Sequence, residues 1–238
     1  MYYSGSALHH PLDNPIWQAL RTDHAVFAMG DGRAARYLPA VAPFVAVADD
    51  DPRSAAQLAA LIAPGEHAFG VGVAPAPRDA FRVESHGPIA QMTCDSPLTA
   101  VSGPAITVLT EAHYADMLEL TALVYPEYFR PRTPEMGRYL GIYDGGRLAA
   151  MAGERMHTGN FREISAVCTH PDYLGRGLAR QLMTELCNHM LRRGETPFLH
   201  VSRQNHRAKA LYDRLGFLDR CDIEHWALER LPAGMDVA

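Results

Sequence analysis

One short stretch constrains the fold of this chain more than any other. Leu174-Gly175-Arg176-Gly177-Leu178-Ala179 follows an extended segment, Glu163–Thr169, and leads directly into Leu178, Leu182, Leu186 and Met190. An apolar residue at every fourth position lies on one helical face, and Gly194 just past Arg193 is a fitting C-terminal stop. The two glycines let backbone come close to a ligand, and the helix N-terminus offers free N–H groups and the positive end of a dipole. No Gly-Lys-Ser/Thr follows, and Arg180 stands where a dinucleotide fingerprint needs its third glycine. Both of those nucleotide motifs are therefore excluded. On these six residues alone, an anion cradle and a plain tight turn are equally good readings.

The elements around the turn are legible. Ile106–Leu109 reads as a strand and Glu111–Val124 as a helix with Tyr114, Met117, Leu118 and Leu120 at helical spacing. Tyr139–Tyr143 and Leu148–Met156 flank Asp144-Gly145-Gly146, a hairpin signal. Phe198–Val201 is a strand, Asn205 opens a helix that ends at Gly216, and Phe217–Leu228 reads as a last strand pair.

Residues 1–105 are harder to read. They hold 11 of the 17 prolines. Asn14–Leu20 is a short helix capped by Asn14 with Pro15 in its first turn, and Ser54–Ile62 is a second. Val41–Ala48, Phe69–Val73 and Ile89–Thr93 are candidate strands. Asp95–Pro104, rich in Pro, Ser, Thr and Gly, reads as a linker, which divides the chain into 1–105 and 106–238.

Composition removes several function classes. With 22 basic and 27 acidic residues the chain lacks the basic surplus of a nucleic-acid binder. No apolar run approaches a membrane span, and the first 25 residues do not resemble a secretory signal, so a cytoplasmic protein is expected. Cys94, Cys168, Cys187 and Cys221 show no C-x-x-C spacing, and His9, His10, His24, His67 and His86 show no ligand spacing, so no metal site is expected.

The order and distance of two blocks are distinctive: ISAVCTHPDYLGRGLA at 164–179 and LHVSRQNHRAKALYDRLGF at 199–217. Over residues 106–228 the chain resembles the GNAT superfamily of acetyl-coenzyme A dependent N-acetyltransferases, most closely a branch with glycine N-acyltransferase-type enzymes. The resemblance implies an α/β (α+β) fold: a mixed, mainly antiparallel sheet with helices on both faces. Related chains carry a partial copy of that fold in the region matching 1–105. The implied reaction is direct acetyl transfer, in a ternary complex, from acetyl-coenzyme A to a primary amine, a small amine or amino acid being favoured. No metal, nucleic acid or membrane is implied, and a homodimer is compatible with it. A module that binds acyl-coenzyme A without turnover is the second reading.

Site residues follow from the resemblance. The strand before the turn is expected to carry a bulge and splay from its neighbour, so that the pantetheine arm lies along Val167, Cys168 and Thr169. The amides of Leu174, Gly175, Arg176, Gly177, Leu178 and Ala179 are expected to hold the pyrophosphate, with Arg180 behind them. Leu174 departs from the family's Arg or Gln, which removes a polar side chain but no amide. Asn205 matches a pantetheine contact and is also a natural helix cap. Tyr212 matches the family's general acid for the leaving thiolate, although Ala208, Leu211, Tyr212 and Leu215 also form a core face. Glu163 is the expected base for the amine, since Glu163, Ser165, Val167 and Thr169 alternate along one strand face. Cys168 lacks the paired base that a covalent route needs. The loop YPEYFRPRT at 125–133 matches one that shapes the acceptor pocket; Tyr128 and Phe129 would line it, and Arg130 or Arg132 would pair with an acceptor carboxylate.

Overall fold

A computed structural model describes residues 10–76 and 80–232; His9 lies outside them. The first half contributes helix α1 (Pro15–Arg21), strands β1 (Ala28–Met29), β2 (Ala34–Tyr37) and β3 (Val45–Val47), helix α2 (Pro52–Leu61), and strands β4 (His67–Val71) and β5 (Phe81–Thr93). The second half contributes β6 (Thr107–Leu109), α3 (Tyr114–Val124), β7 (Tyr139–Asp144), β8 (Arg147–Thr158), β9 (Phe161–Thr169), α4 (Leu178–Arg192), β10 (Thr196–Ser202), α5 (His206–Leu215) and β11 (Leu218–Arg230). Asn14 precedes α1 as expected but makes no side-chain cap; its amide instead donates to the Val47 carbonyl at 2.8 Å.

A small antiparallel sheet has the order β1-β2-β3, and a large one has the order β4-β11-β5-β10-β9-β8-β7-β6. In the large sheet β9 and β10 are parallel, and every other neighbouring pair is antiparallel. Helices α4 and α5 cover one face, packing Leu178, Leu182, Leu186, Met190 and Leu215 on Ala150, Ala152, Ile164 and Leu199. Helix α3 covers the other face beside Met151 and Cys168, and α1 does so beside Met156 and Phe198. β8 is buried on both faces from Leu148 to Met156, which is why its sequence lacks strand alternation.

Two sequence expectations change. Phe217–Leu228 is not a strand pair: one strand, β11, runs through Leu218–Arg230, and it lies between β4 and β5, the latter paired from Leu218↔Thr93 to Arg230↔Phe81. The boundary near residue 105 divides the sequence but not the sheet, because β5 also pairs with β10, from Phe198↔Thr93 to Ser202↔Ile89. The intervening Asp95–Pro104 segment is tied to α4. Asn188 bonds both the amide and the carbonyl of Leu98, at 2.8 and 2.9 Å, and Gln181 donates to the Pro104 carbonyl at 2.8 Å. None of the described helices is long and apolar enough to cross a membrane.

Candidate active site

The glycine turn has the geometry its sequence demands. Gly175 (φ 81°) and Gly177 (φ 78°) are left-handed, and a Cβ at either would meet open space, so conformation rather than room requires glycine. Gly177 is the N-cap of α4, whose first amides therefore face outward.

β9 breaks at the expected place. Ala166 is left-handed (φ 49°), and pairing with β8 passes from Gly153↔Ser165 to Met151↔Cys168, which leaves one extra residue on β9. Pairing with β10 reaches Phe198↔Glu163 and stops, so the two parallel strands part beyond Glu163. The bulge also changes parity. Cys168 faces α3 like Ser165, whereas Thr169 pairs with Ala150 on the α4 side. Glu163, Ser165, Val167 and Thr169 thus do not share one face.

Two cavities meet at this gap. The larger, about 720 Å³, runs from the turn between α4 and α5. It is lined by Val167, Thr169, Leu174, Gly175, Gly177, Leu178, Ala179, Arg180, Asn205 and Tyr212 among others. Its walls are apolar at Val124, Ala208 and Leu211, and Arg180, Arg207 and Arg214 add positive charge, none of it paired with a carboxylate among the described residues. A thin, partly apolar arm ending in phosphates suits this groove. Arg176 stands apart from the lining; its guanidinium lies over the Tyr173 ring at 4.7 Å.

The smaller cavity, about 370 Å³, lies on the α3 side and is lined by Phe44, Val71, Ile89, Tyr125, Tyr128, Arg155, Glu163, Ser165, Cys168, His200 and His225 among others. Val124, Val167, Asn205, Ala208 and Tyr212 line both cavities. Asn205 caps α5 by accepting the Ala208 amide at 3.1 Å, so the cap and a place on the cavity wall are compatible. Tyr212 is almost wholly buried, and burial, with Tyr125 and Cys168 beside it, pushes its phenol up to about 12. It therefore carries its proton at neutral pH. Burial likewise raises the Cys168 thiol to about 12, which leaves no nucleophilic thiolate.

Glu163 departs from the expectation of a free base. It is fully buried. Arg155 donates to both its oxygens at 2.7 Å, His200 Nδ1 lies 2.8 Å from Oε1, and the Met156 amide reaches Oε2 at 3.4 Å. Burial pushes the carboxyl up, but the Arg155 charge and these hydrogen bonds outweigh it and hold it at about 2. A carboxylate so occupied has no free lone pair for an amine proton. His200 is fixed in turn. Gln91 Oε1 accepts from Arg220 at 2.7 Å, so its amide nitrogen donates to the Leu12 carbonyl (2.9 Å) and to His200 Nε2 (3.0 Å). The imidazole is thereby held between Gln91 and Glu163.

The 125–133 loop divides. Tyr128 lines the small cavity, stacked on Phe44 at 5.8 Å. Phe129 turns into the core against Tyr139. Arg132 pairs with Glu135 at 2.7 Å, and Arg130 bonds the Glu127 carbonyl; neither lines the cavity. The arginine that does line it is Arg155, on β8. Sequence reasoning missed Arg155, His200, Gln91 and His225, which sit in strands; the two adjacent charged residues, Glu154 and Arg155, inside the otherwise apolar run of β8 were the available signal. No group of His, Cys, Asp and Glu suited to a metal occurs among the described residues.

Comparison with known proteins bears on this arrangement. Residues 139–227 match a family model described as FR47-like protein. An N-alpha-acetyltransferase of Mycobacterium tuberculosis, RimI, is 33% identical over 132 residues, half of this chain and 82% of that protein. A crystal structure described as a GNAT-family acetyltransferase from Novosphingobium aromaticivorans is 36% identical, with TM-score 0.86, and covers 94% of this chain and 100% of its own. A GCN5-related N-acetyltransferase from Kribbella flavida shares the fold at 14% identity, with TM-score 0.65 over 97% of this chain and 98% of its own.

Proposed function

The chain belongs to the GNAT family of acetyltransferases, and from that premise we propose that it transfers acetyl from acetyl-coenzyme A to the primary amine of a small molecule. The observation that carries this reading is the meeting of the two cavities at Tyr212, across the gap between β9 and β10. GNAT enzymes use acetyl-coenzyme A, and the groove supports its binding: glycine-turn amides and the α4 N-terminus for the pyrophosphate, Arg180, Arg207 and Arg214 for charge, and the apolar wall with Asn205 for the pantetheine arm. The acceptor occupies the smaller cavity. Residues of the first half, Phe44, Val71 and Ile89, wall that cavity, which favours a small molecule over a protein N-terminus. Nothing among these features singles out the glycine N-acyltransferase-like branch.

The steps divide among named groups. The amine nitrogen attacks the thioester carbonyl carbon, and backbone amides of Val167–Thr169, beyond the point where β9 parts from β10, polarise the carbonyl oxygen. The carbon–sulfur bond breaks, and the Tyr212 hydroxyl gives its proton to the departing thiolate. The amine's proton leaves through water, because Glu163 is saturated by Arg155 and His200. Glu163 positions those two side chains.

Thiol release from acetyl-coenzyme A, measured over a panel of small amines and N-terminal peptides, tests the reading. Tyr212→Phe should lower kcat about 100-fold with the KM for acetyl-coenzyme A unchanged. An unaltered kcat removes Tyr212 from the chemistry; turnover of peptides alone removes the small acceptor.

A further inference from the structure

Arg155 is almost wholly buried and yet only half used. A guanidinium has five N–H groups in two forked edges. Glu163 takes one edge, through Nε and Nη2, at 2.7 Å each. Both N–H groups of Nη1 and the second of Nη2 make no hydrogen bond of good geometry with any described residue. The Tyr125 hydroxyl also approaches the guanidinium and offers it one oxygen. The residue lines the acceptor cavity, so the open edge has somewhere to act.

The group is also immobile. Its face lies 4.7 Å over the Phe44 ring, Phe44 is stacked by Tyr128, and Glu163 is anchored by His200, itself held by Gln91. A planar cation fixed on three sides, with a fork toward a cavity that no carboxylate of the described residues occupies, is matched by a carboxylate, which accepts two parallel N–H bonds. Charge balance narrows the ligand further. Arg155 is already neutralised by Glu163, so a bare anion would leave one uncompensated charge in a buried site. An amino acid carries its own ammonium and adds none. Val71, Ile89, Phe44 and Tyr128 give the cavity an apolar and aromatic side for a side chain, beside the polar Ser165, Ser202 and His225.

We infer that the acceptor is a free apolar α-amino acid, whose carboxylate is held by the open edge of Arg155 while its amine is presented toward Tyr212. This inference rests on the small-acceptor reading above and makes Arg155 a specificity residue, the role the sequence suggested for Arg130 or Arg132.

The test compares leucine and phenylalanine with their primary amides as acceptors of acetyl from acetyl-coenzyme A, by thiol release. The amides keep shape and amine but lose the carboxylate. The acids should show a KM at least tenfold lower. In Arg155→Lys, which keeps the charge and loses the fork, the KM of the acids should rise at least tenfold, while those of the amides and of acetyl-coenzyme A hold. Equal KM values for acid and amide in the wild type overturn the assignment without any variant, as does an equal rise for both in Arg155→Lys. If no acceptor turns over, calorimetric binding of leucine against leucinamide, in the presence of coenzyme A, separates the two readings. Preference for the acid there sustains the Arg155 site and sinks the transfer to small acceptors. No preference, or no binding, overturns the Arg155 site.

Discussion

At the residue scale the acceptor site is built on one buried ion pair. Glu163 and Arg155 lie side by side at the point where β9 leaves β10, and each makes the other tolerable in a dry interior. Glu163→Gln should cost about 3–5 kcal/mol, because it leaves a buried guanidinium uncompensated; the midpoint of urea unfolding measures it. The pH dependence has a definite sign. The folded carboxyl, at about 2, lies below its ordinary value of 4.5. The stabilisation from its ionised form is therefore complete above about pH 4.5 and is lost as pH falls toward 2. An unfolding midpoint independent of pH between 5 and 3 contradicts the assignment. Glu163 itself was visible in the sequence as a candidate; its commitment to Arg155 and His200 was not, because those partners come from other strands.

At the element scale the decisive device is the bulge in β9. An alanine held at φ 49° stores strain that the surrounding pairing must sustain, and it turns Val167 and Thr169 away from the face of Glu163. Ala166→Gly should unfold at nearly the wild-type urea concentration, since glycine takes that conformation without steric cost. Ala166→Val should lose about 2 kcal/mol and raise the KM for acetyl-coenzyme A, because a β-branched residue is a strong outlier there. Equal stability of the two variants would show that the bulge carries no such strain. The glycine turn and the face of α4 were legible beforehand, since glycine spacing and a four-residue apolar repeat are local signals. Ala166 carried no signal: alanine marks neither a bulge nor a left-handed residue.

At the scale of the whole molecule, the first half completes the second. β5 is hydrogen-bonded to β10 on one side and β11 on the other, and its Gln91 orients His200. A chain begun at residue 105 would leave β10 with an unpaired edge, β11 with no partner on either side, and the acceptor cavity open. It should show no cooperative thermal transition by circular dichroism; a sharp transition would show that the second half folds alone. By itself the sequence determined the local order of the site, from the glycine turn through α4 to Asn205 and Tyr212, because caps, turns and helical faces are written in neighbouring residues. Only the tertiary structure decided which strand lies between β10 and β11, which arginine faces the acceptor, and that Glu163 is held rather than free. Those outcomes depend on pairings between segments far apart in the chain, and strand alternation specifies which face a residue takes but not its partner.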